Sequence, residues 1–332
     1  MASSTKLCVV VAGASGETGQ SITKGLLANP AKFHVIALAR PESAGKAVYQ
    51  EMASAGATIK TADFCNLDAL AEQLAGADVV ISCLMPIQLV ESETLTDAAH
   101  RAGVGRFIPS FWGTVMPPRG IMAVRDVRED LLDRIKRLYL PYTVVDVGMW
   151  AQVGLPPPYA PPPPIADTFI GNGDTPTTVI DKEDIGPYVA RIITDPRTLN
   201  RSVFAYGDVV TQSDISAELK AAMGKEVLRD SLSVSELEAR IAELQVSVAR
   251  DPTDVGLTLE HAMSQYRYSR YVRGDNTPEH AQYLGYLDGK TLYPDLNCKS
   301  MRDFIREVVN GERDHRIYVG RDPVADATQH KA

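Results

Sequence analysis

The sequence predicts an α/β protein built on a doubly wound parallel sheet, and three observations carry that prediction. Short apolar runs recur through the first half, most of them followed by a stretch with helical periodicity. Their hydrophobicity is continuous rather than alternating, as in strands covered on both faces. The first run ends in glycines spaced for a strand–turn–helix phosphate loop.

Taken in order, "KLCVVVAG" is a buried strand closed by glycine, and the helix after it sets Ile22, Leu26 and Leu27 on one side. The runs "HVIALAR", "ATIKTADF", "ADVVISCL", "RFIPS" and "YTVVDVG" follow. This repetition predicts a Rossmann-type domain over residues 1–150. The helix after the fifth strand carries Val124, Val127, Leu131, Ile135 and Leu138 as a stripe, with Asp126, Asp130 and Asp133 opposite. Asp130–Arg134 and Asp133–Arg137 have the favourable acid-first order of i,i+4 pairs. After Gly148, "LPPPYAPPPPIADTF" is too rich in proline for helix or central strand and reads as an extended loop over the mouth of the sheet. Helices are expected from about Ser213 to Gly224, after a capping box at Ser233 and Glu236 with Leu237, Ile241, Leu244 and Val248 on one face, and from Ser300 to Gly311. Residues 151–311 form a second unit, some of its segments returning to the first, and 312–332 a polar tail.

Composition narrows the function. With 45% hydrophobic and 23% charged residues the chain buries an ordinary core, and a net charge of −8 disfavours nucleic acid as partner. No apolar run is long enough to span a bilayer, and the N-terminus enters a strand without a signal peptide, so a cytoplasmic protein is expected. Cys8, Cys65, Cys83 and Cys298 include no Cys-x-x-Cys, and the six histidines show no metal-ligand spacing, so reduced thiols and no metal are expected. A homodimer is left open.

The strongest motif is "VVVAGASGETGQS", with Gly13, Gly16 and Gly19 between a strand and a helix. Such glycines let the backbone approach a pyrophosphate, and the following helix offers it free amides. Ser15, Glu17 and Thr18 complete the loop. At the end of the second strand, where an acid would bind the ribose of NAD, stands Arg40, which suits a 2′-phosphate and predicts NADP(H). Lys46 adds charge; the alternative for Arg40 is a solvated surface residue. Asp63 and Phe64 fall where adenine would lie, and Cys83, Leu84 and Met85 near the nicotinamide ribose, with Ser110 ending the fifth strand.

Together with this loop, "LAR", "RFIPS-xx-G", "LPYTVVDVGMW", "IDKEDIGPYVARI" and "YVRGDNTPEHAQYLGYLDGKTLYPD" resemble the NmrA-like, isoflavone-reductase-like branch of the atypical short-chain dehydrogenases, from about Lys6 to Gly311. The resemblance implies an NADP-binding Rossmann domain, a smaller C-terminal α/β substrate domain and a cleft between them. It also implies hydride transfer to small aromatic metabolites. Many relatives carry a lysine near the nicotinamide, early in the helix after "PSEFG". Here the acid of that motif is replaced by Phe111, and no lysine occurs between Lys60 and Lys136. The lysine position falls on Arg128, or on Arg125 if the register slips by a turn. An arginine there can hold an oxyanion but cannot trade a proton; the alternative for both is a solvated, ion-paired helix start.

Phe111, Trp112, Met116, Met149 and Trp150 cluster by position at the predicted mouth, as an apolar pocket for a flat or polyketide-like metabolite or as interdomain core. Tyr159, His261, Tyr266 and Tyr268 are candidate proton donors or packing residues. Tyr286 and Lys290 match a Tyr-x-x-x-Lys pattern but sit in a turn-like segment far downstream. No Gly-x-Ser-x-Gly elbow appears. Three readings remain: an NADPH-dependent reductase of secondary metabolism, an NADP(H)-sensing regulator without turnover, and a redox-neutral isomerase, dehydratase or cyclase.

Overall fold

The structure, a computed structural model, describes residues 6–161, 165, 167–227 and 229–319. Five parallel strands open the chain: β1 (Leu7–Ala12), β2 (Phe33–Ala39), β3 (Thr58–Thr61), β4 (Val79–Ser82) and β5 (Arg106–Ile108), in the order β3-β2-β1-β4-β5. Helices α1 (Glu17–Leu27), α2 (Ala47–Ser54), α3 (Leu67–Leu74), α4 (Leu89–Arg101) and α5 (Ala123–Arg137) make the crossovers. Val9, Val10 and Val11 are buried on alternate faces, in two cores that sandwich the sheet. That two-sided burial explains the continuous hydrophobicity. The third run gives the edge strand, β3, and is only half covered.

The sheet continues past β5. A bridge from Phe107 to Tyr142 leads into β6 (Thr143–Asp146), and Arg201–Phe204 pairs parallel to β6 with Val203 opposite Val145. Leu287–Asp288 is parallel beyond it. The helix Ile185–Ile192 packs on α1. Buried Arg106 donates to the carbonyls of Ile192 and Asp195 and the hydroxyl of Thr198. Segments from beyond residue 180 therefore complete this sheet.

The other lobe holds a small sheet of Met149–Trp150, Thr177–Ile180 and Asp208–Val210. Four helices gather on it: Gln212–Met223, Val234–Arg250, Val255–Arg267 and Met301–Val309. The expected capping box at Ser233 and Glu236 is present, and another joins Thr211 to Asp214. Leu237 and Leu244 are buried as the periodicity predicts, with Ile241 and Val248 half-buried.

α5 departs from expectation. Its buried face is Arg125, Glu129, Leu132 and Ile135, not the Val124–Val127–Leu131 stripe, of which those three residues are half-buried. Asp130 and Asp133 both bind Arg119 at 2.7 Å, and Arg134 reaches Asp97 instead of Asp130. The helix is rotated by the charged residues it buries rather than by its valines.

Candidate active site

The glycine loop is a tight cradle. Gly13 has φ +76°, and a Cβ there would lie 2.7 Å from the Cys83 carbonyl oxygen. A Cβ on Gly19 would lie 2.2 Å from the Gly13 carbonyl oxygen. Only glycine gives this turn and this closeness of loop, helix and neighbouring strand. The N-cap is Gly16, with no side chain capping the helix, so the first amides of α1 face outward as an anion site would require. Glu17 is held aside: its carboxylate takes Lys182 at 3.0 Å and the Tyr318 amide at 3.0 Å.

A cavity of about 360 Å³ opens beside this loop, at the carboxyl ends of β1, β4 and β5. Gly16, Glu17, Thr18, Cys83, Leu84 and Met85 line one end. Ser110, Trp112, Gly148, Met149 and Trp150 continue the wall. The Ser110 hydroxyl donates to the Leu84 carbonyl at 2.7 Å, tying β5 to the loop after β4. Trp112 adopts φ +28°, an uncommon region for a bulky residue, and its indole Nε1 donates to the Ser82 carbonyl at 2.7 Å. Backbone strain held by a buried hydrogen bond at a cavity wall is the kind of feature found at functional sites. Burial pushes the Cys83 thiol far up, so it lines the cavity as an apolar group.

The opposite wall is the Val255–Arg267 helix, through Val255, Thr258, Leu259, Ala262, Met263 and Tyr266. Its continuation, Tyr268–Arg273, is a π-helical turn, a form frequent at functional sites. Arg267 and Arg270 line the cavity there. Sequence reading missed this wall apart from Tyr266. The signal was the interleaving of tyrosine and arginine in "YRYSRYVR".

Arg125 and Arg128, one turn apart on α5, have different fates. Arg128 lines the cavity: its Nη1 lies 3.4 Å from the Tyr266 hydroxyl, and its Nε is buried without a partner. Gly113 gives its head group room, since a Cβ there would lie 3.1 Å from Nη1. Arg125 does not reach the cavity. It is 4% exposed and donates to Glu129 and Asp146, both at 2.8 Å, and to the Tyr286 hydroxyl at 2.7 Å. Burial opposes its charge, but Asp146, Tyr286 and Glu129 together hold it well above its ordinary value.

Other expected site residues lie elsewhere. Phe111 is fully buried under α5 with Leu132 and Val144, its ring 4.7 Å below the Arg125 guanidinium. Met116 is buried outside the cavity. His261 does not line the cavity; it is 8% exposed, its Nε2 is buried without a partner, and burial lowers its pKa from the ordinary value. Tyr159 lines a separate recess beneath the proline segment, where it meets His315 edge-on; Pro162–Pro164 and Ala166 of that segment lie outside the described residues. Tyr268 is half-buried, packed against the core of the second lobe. Tyr286 donates to Asp146 at 2.6 Å, and Lys290 sits over the Tyr206 ring, so neither lines the cavity. Arg40 ends β2 and Lys46 is exposed before α2, both beyond the cavity's edge. Asp63 is exposed and accepts from the Cys65 amide, while Phe64 is buried in the core.

No lysine lines the cavity among the described residues. Nor do they hold a cluster suited to a metal, or a helix long and apolar enough to cross a membrane.

Residues 5–118 match the model of the NmrA-like family. Asnovolin J 5',6'-dehydrogenase of Aspergillus novofumigatus is 36% identical over 321 residues, 94% of this chain and 98% of that protein. An isoflavone reductase homolog of Zea mays is 26% identical over 91% of this chain and 98% of its own length. Among solved structures, the leucoanthocyanidin reductase–NADPH complex from Vitis vinifera superposes with a TM-score of 0.75 at 20% identity, covering 91% of this chain and 99% of that one. AtPrR2 with NADP+ and (+)pinoresinol gives 0.74 at 22% identity, covering 91% and 98%.

Proposed function

The chain belongs to the NmrA-like family, and from that premise we propose that it is an NADP(H)-dependent oxidoreductase acting on a small aromatic or unsaturated metabolite of secondary metabolism. One observation carries the reading: a single cavity joins the glycine loop to an apolar helical wall. A dinucleotide laid on the loop would reach toward Ser110 and Trp112 and leave the space against Leu259 and Met263 for a flat substrate. The cradle fits the cofactor, because Gly13 and Gly19 are sterically obligatory and the α1 amides lack a side-chain cap. Arg40, directly after β2, would hold the 2′-phosphate. The cofactor would supply the hydride chemistry.

The protein's own part is binding, orientation and electrostatics. Arg128 would hold an oxygen of the substrate in a site shielded from water, and its guanidinium, always protonated, would stabilise negative charge there. The Tyr266 hydroxyl beside it carries an exchangeable proton that the arginine cannot supply. The 36%-identical relative is a dehydrogenase and the plant relatives are reductases, so this scaffold supports the transfer in either direction.

The test is NADPH consumption with a panel of aromatic enones, quinones and ketones, alongside NADPH binding by nicotinamide fluorescence. Binding without consumption would favour a sensor of NADP(H), the second reading, which the arginine at the lysine position favours. Conversion that persists after NADPH is stripped would mark a redox-neutral enzyme. Arg40→Glu should weaken NADPH by about a hundredfold and NADH far less. Equal weakening of both would remove the 2′-phosphate assignment.

A further inference from the structure

At the far end of the cavity a buried guanidinium is incompletely paired. Arg270 is 6% exposed and lines the cavity, yet its Nε has no hydrogen-bond partner. Its Nη2 donates to Asp167 Oδ1 at 3.0 Å, and its head lies 4.9 Å from the centre of the Tyr271 ring. Asp167 has little left to give. Its Oδ2 already accepts from the Tyr271 hydroxyl at 2.6 Å and from Gln212 at 3.1 Å.

The same carboxylate also acts through its charge on half-buried Arg229 and buried Arg267, both pushed below the ordinary arginine value by burial. Arg229 donates to the Gly154 carbonyl at 3.2 Å, and its Nε is likewise buried without a partner. The Val255–Arg267 helix and its π-helical continuation to Arg273 contribute a fractional negative charge of about one half at their carboxyl end. That eases the cluster but offers Nε no acceptor. Arg270 therefore shares an already occupied carboxylate with Arg229, and the Nε of each is buried without a partner; a buried charge incompletely paired is costly.

We propose that the cavity recognises an anionic substrate, a carboxylate or ionised acidic phenol or enol, whose negative group seats against Arg270 at the π-helical end while its apolar body lies along Leu259 and Met263. The inference rests on the substrate cavity of the proposed function and names the class of molecule it takes. The anion completes the coordination of Arg270, and Arg128 remains available for a second oxygen nearer the glycine loop. Buried guanidinium groups choose such a ligand because they pay most of their desolvation before it arrives, whereas a neutral ester leaves them unmatched.

The experiment compares 2-naphthoate with methyl 2-naphthoate by calorimetry, on the native protein with and without saturating NADPH. The acid should bind at least about tenfold more tightly than its ester, as a charge-assisted hydrogen bond would give. Arg270→Gln should erase that preference and Arg270→Lys should keep part of it. Where Arg270→Gln fails to fold, Arg128→Gln should narrow the preference, and the comparison on native protein stands without any variant. An ester that binds as well as the acid, an acid preference that survives Arg270→Gln, or binding of neither compound overturns the proposal. Nicotinamide fluorescence in the same samples separates the two conclusions: acid preference without NADPH binding would sink the dinucleotide reading and leave this one supported.

Discussion

Two buried arginine clusters in this protein use the same chemistry to opposite ends. Beneath α5, Arg125 meets two carboxylates and a tyrosine within 2.8 Å, and Asp146 at its centre has no exposed surface. At the π-helical turn, Arg270 pairs with Asp167, a carboxylate already occupied by Tyr271 and Gln212, and its Nε has no partner. The residues of the first cluster do not line the cavity beside the glycine loop, whereas Arg270 of the second does. The first sets two carboxylates around one guanidinium inside the fold, while the second leaves a guanidinium nitrogen unpaired. A buried network within the core fixes an architecture, while an incompletely paired guanidinium at a cavity wall holds binding free energy in reserve.

The sharpest way to break this comparison is to remove Arg125. Arg125→Met strands Asp146 and Glu129 in the core and should cost about 3–5 kcal/mol, read as a loss of unfolding free energy in denaturant titration. Arg270→Met should cost far less, about 1 kcal/mol or below, because Asp167 keeps Tyr271 and Gln212 and an incompletely paired charge is removed. Equal losses from the two variants would mean that the clusters do not differ as described.

The smallest expected effect is at Glu129. Burial raises its carboxyl above the ordinary range, outweighing the opposite pull of Arg125. A raised acid contributes stability that is full below the unfolded value, about 4.3, and is lost as pH climbs through the folded value. Glu129→Gln removes that dependence. The parent should therefore lose stability relative to the variant as pH rises out of the usual glutamate range, with the two within about 0.5 kcal/mol at the acid end of the window. A stability difference that stays flat across a pH series of urea titrations would refute it.

Much of this was legible in the sequence where the cause is local. The glycine loop, the parallel strands and the Ser233 capping box depend on residues a few positions apart. The rotation of α5 was not, since Arg125 and Arg128 differ by less than one turn and either could have faced inward. What decides is Asp146 on β6 and Phe111 after β5, partners invisible to helical periodicity. The same distance hid the second wall. Arg270 lies more than a hundred residues from Asp167, and nothing in "YRYSRYVR" marks its arginines as buried. Position at the end of the fifth strand puts Phe111 and Trp112 together at the mouth, as pocket or core; the left-handed backbone at Trp112 sends the two rings to different places.

The borrowed strands have a consequence for synthesis. A nascent chain that has just emitted β6 owns the glycine loop but not the strand Arg201–Phe204 that covers the β6 flank, nor the carbonyls that receive Arg106. Tyr286, the last partner of Arg125, arrives later still. The N-terminal half therefore leaves the ribosome with an unsheathed flank and waits for its own C-terminal segments, and any attempt to harvest it as a free-standing module would expose that flank to its neighbours.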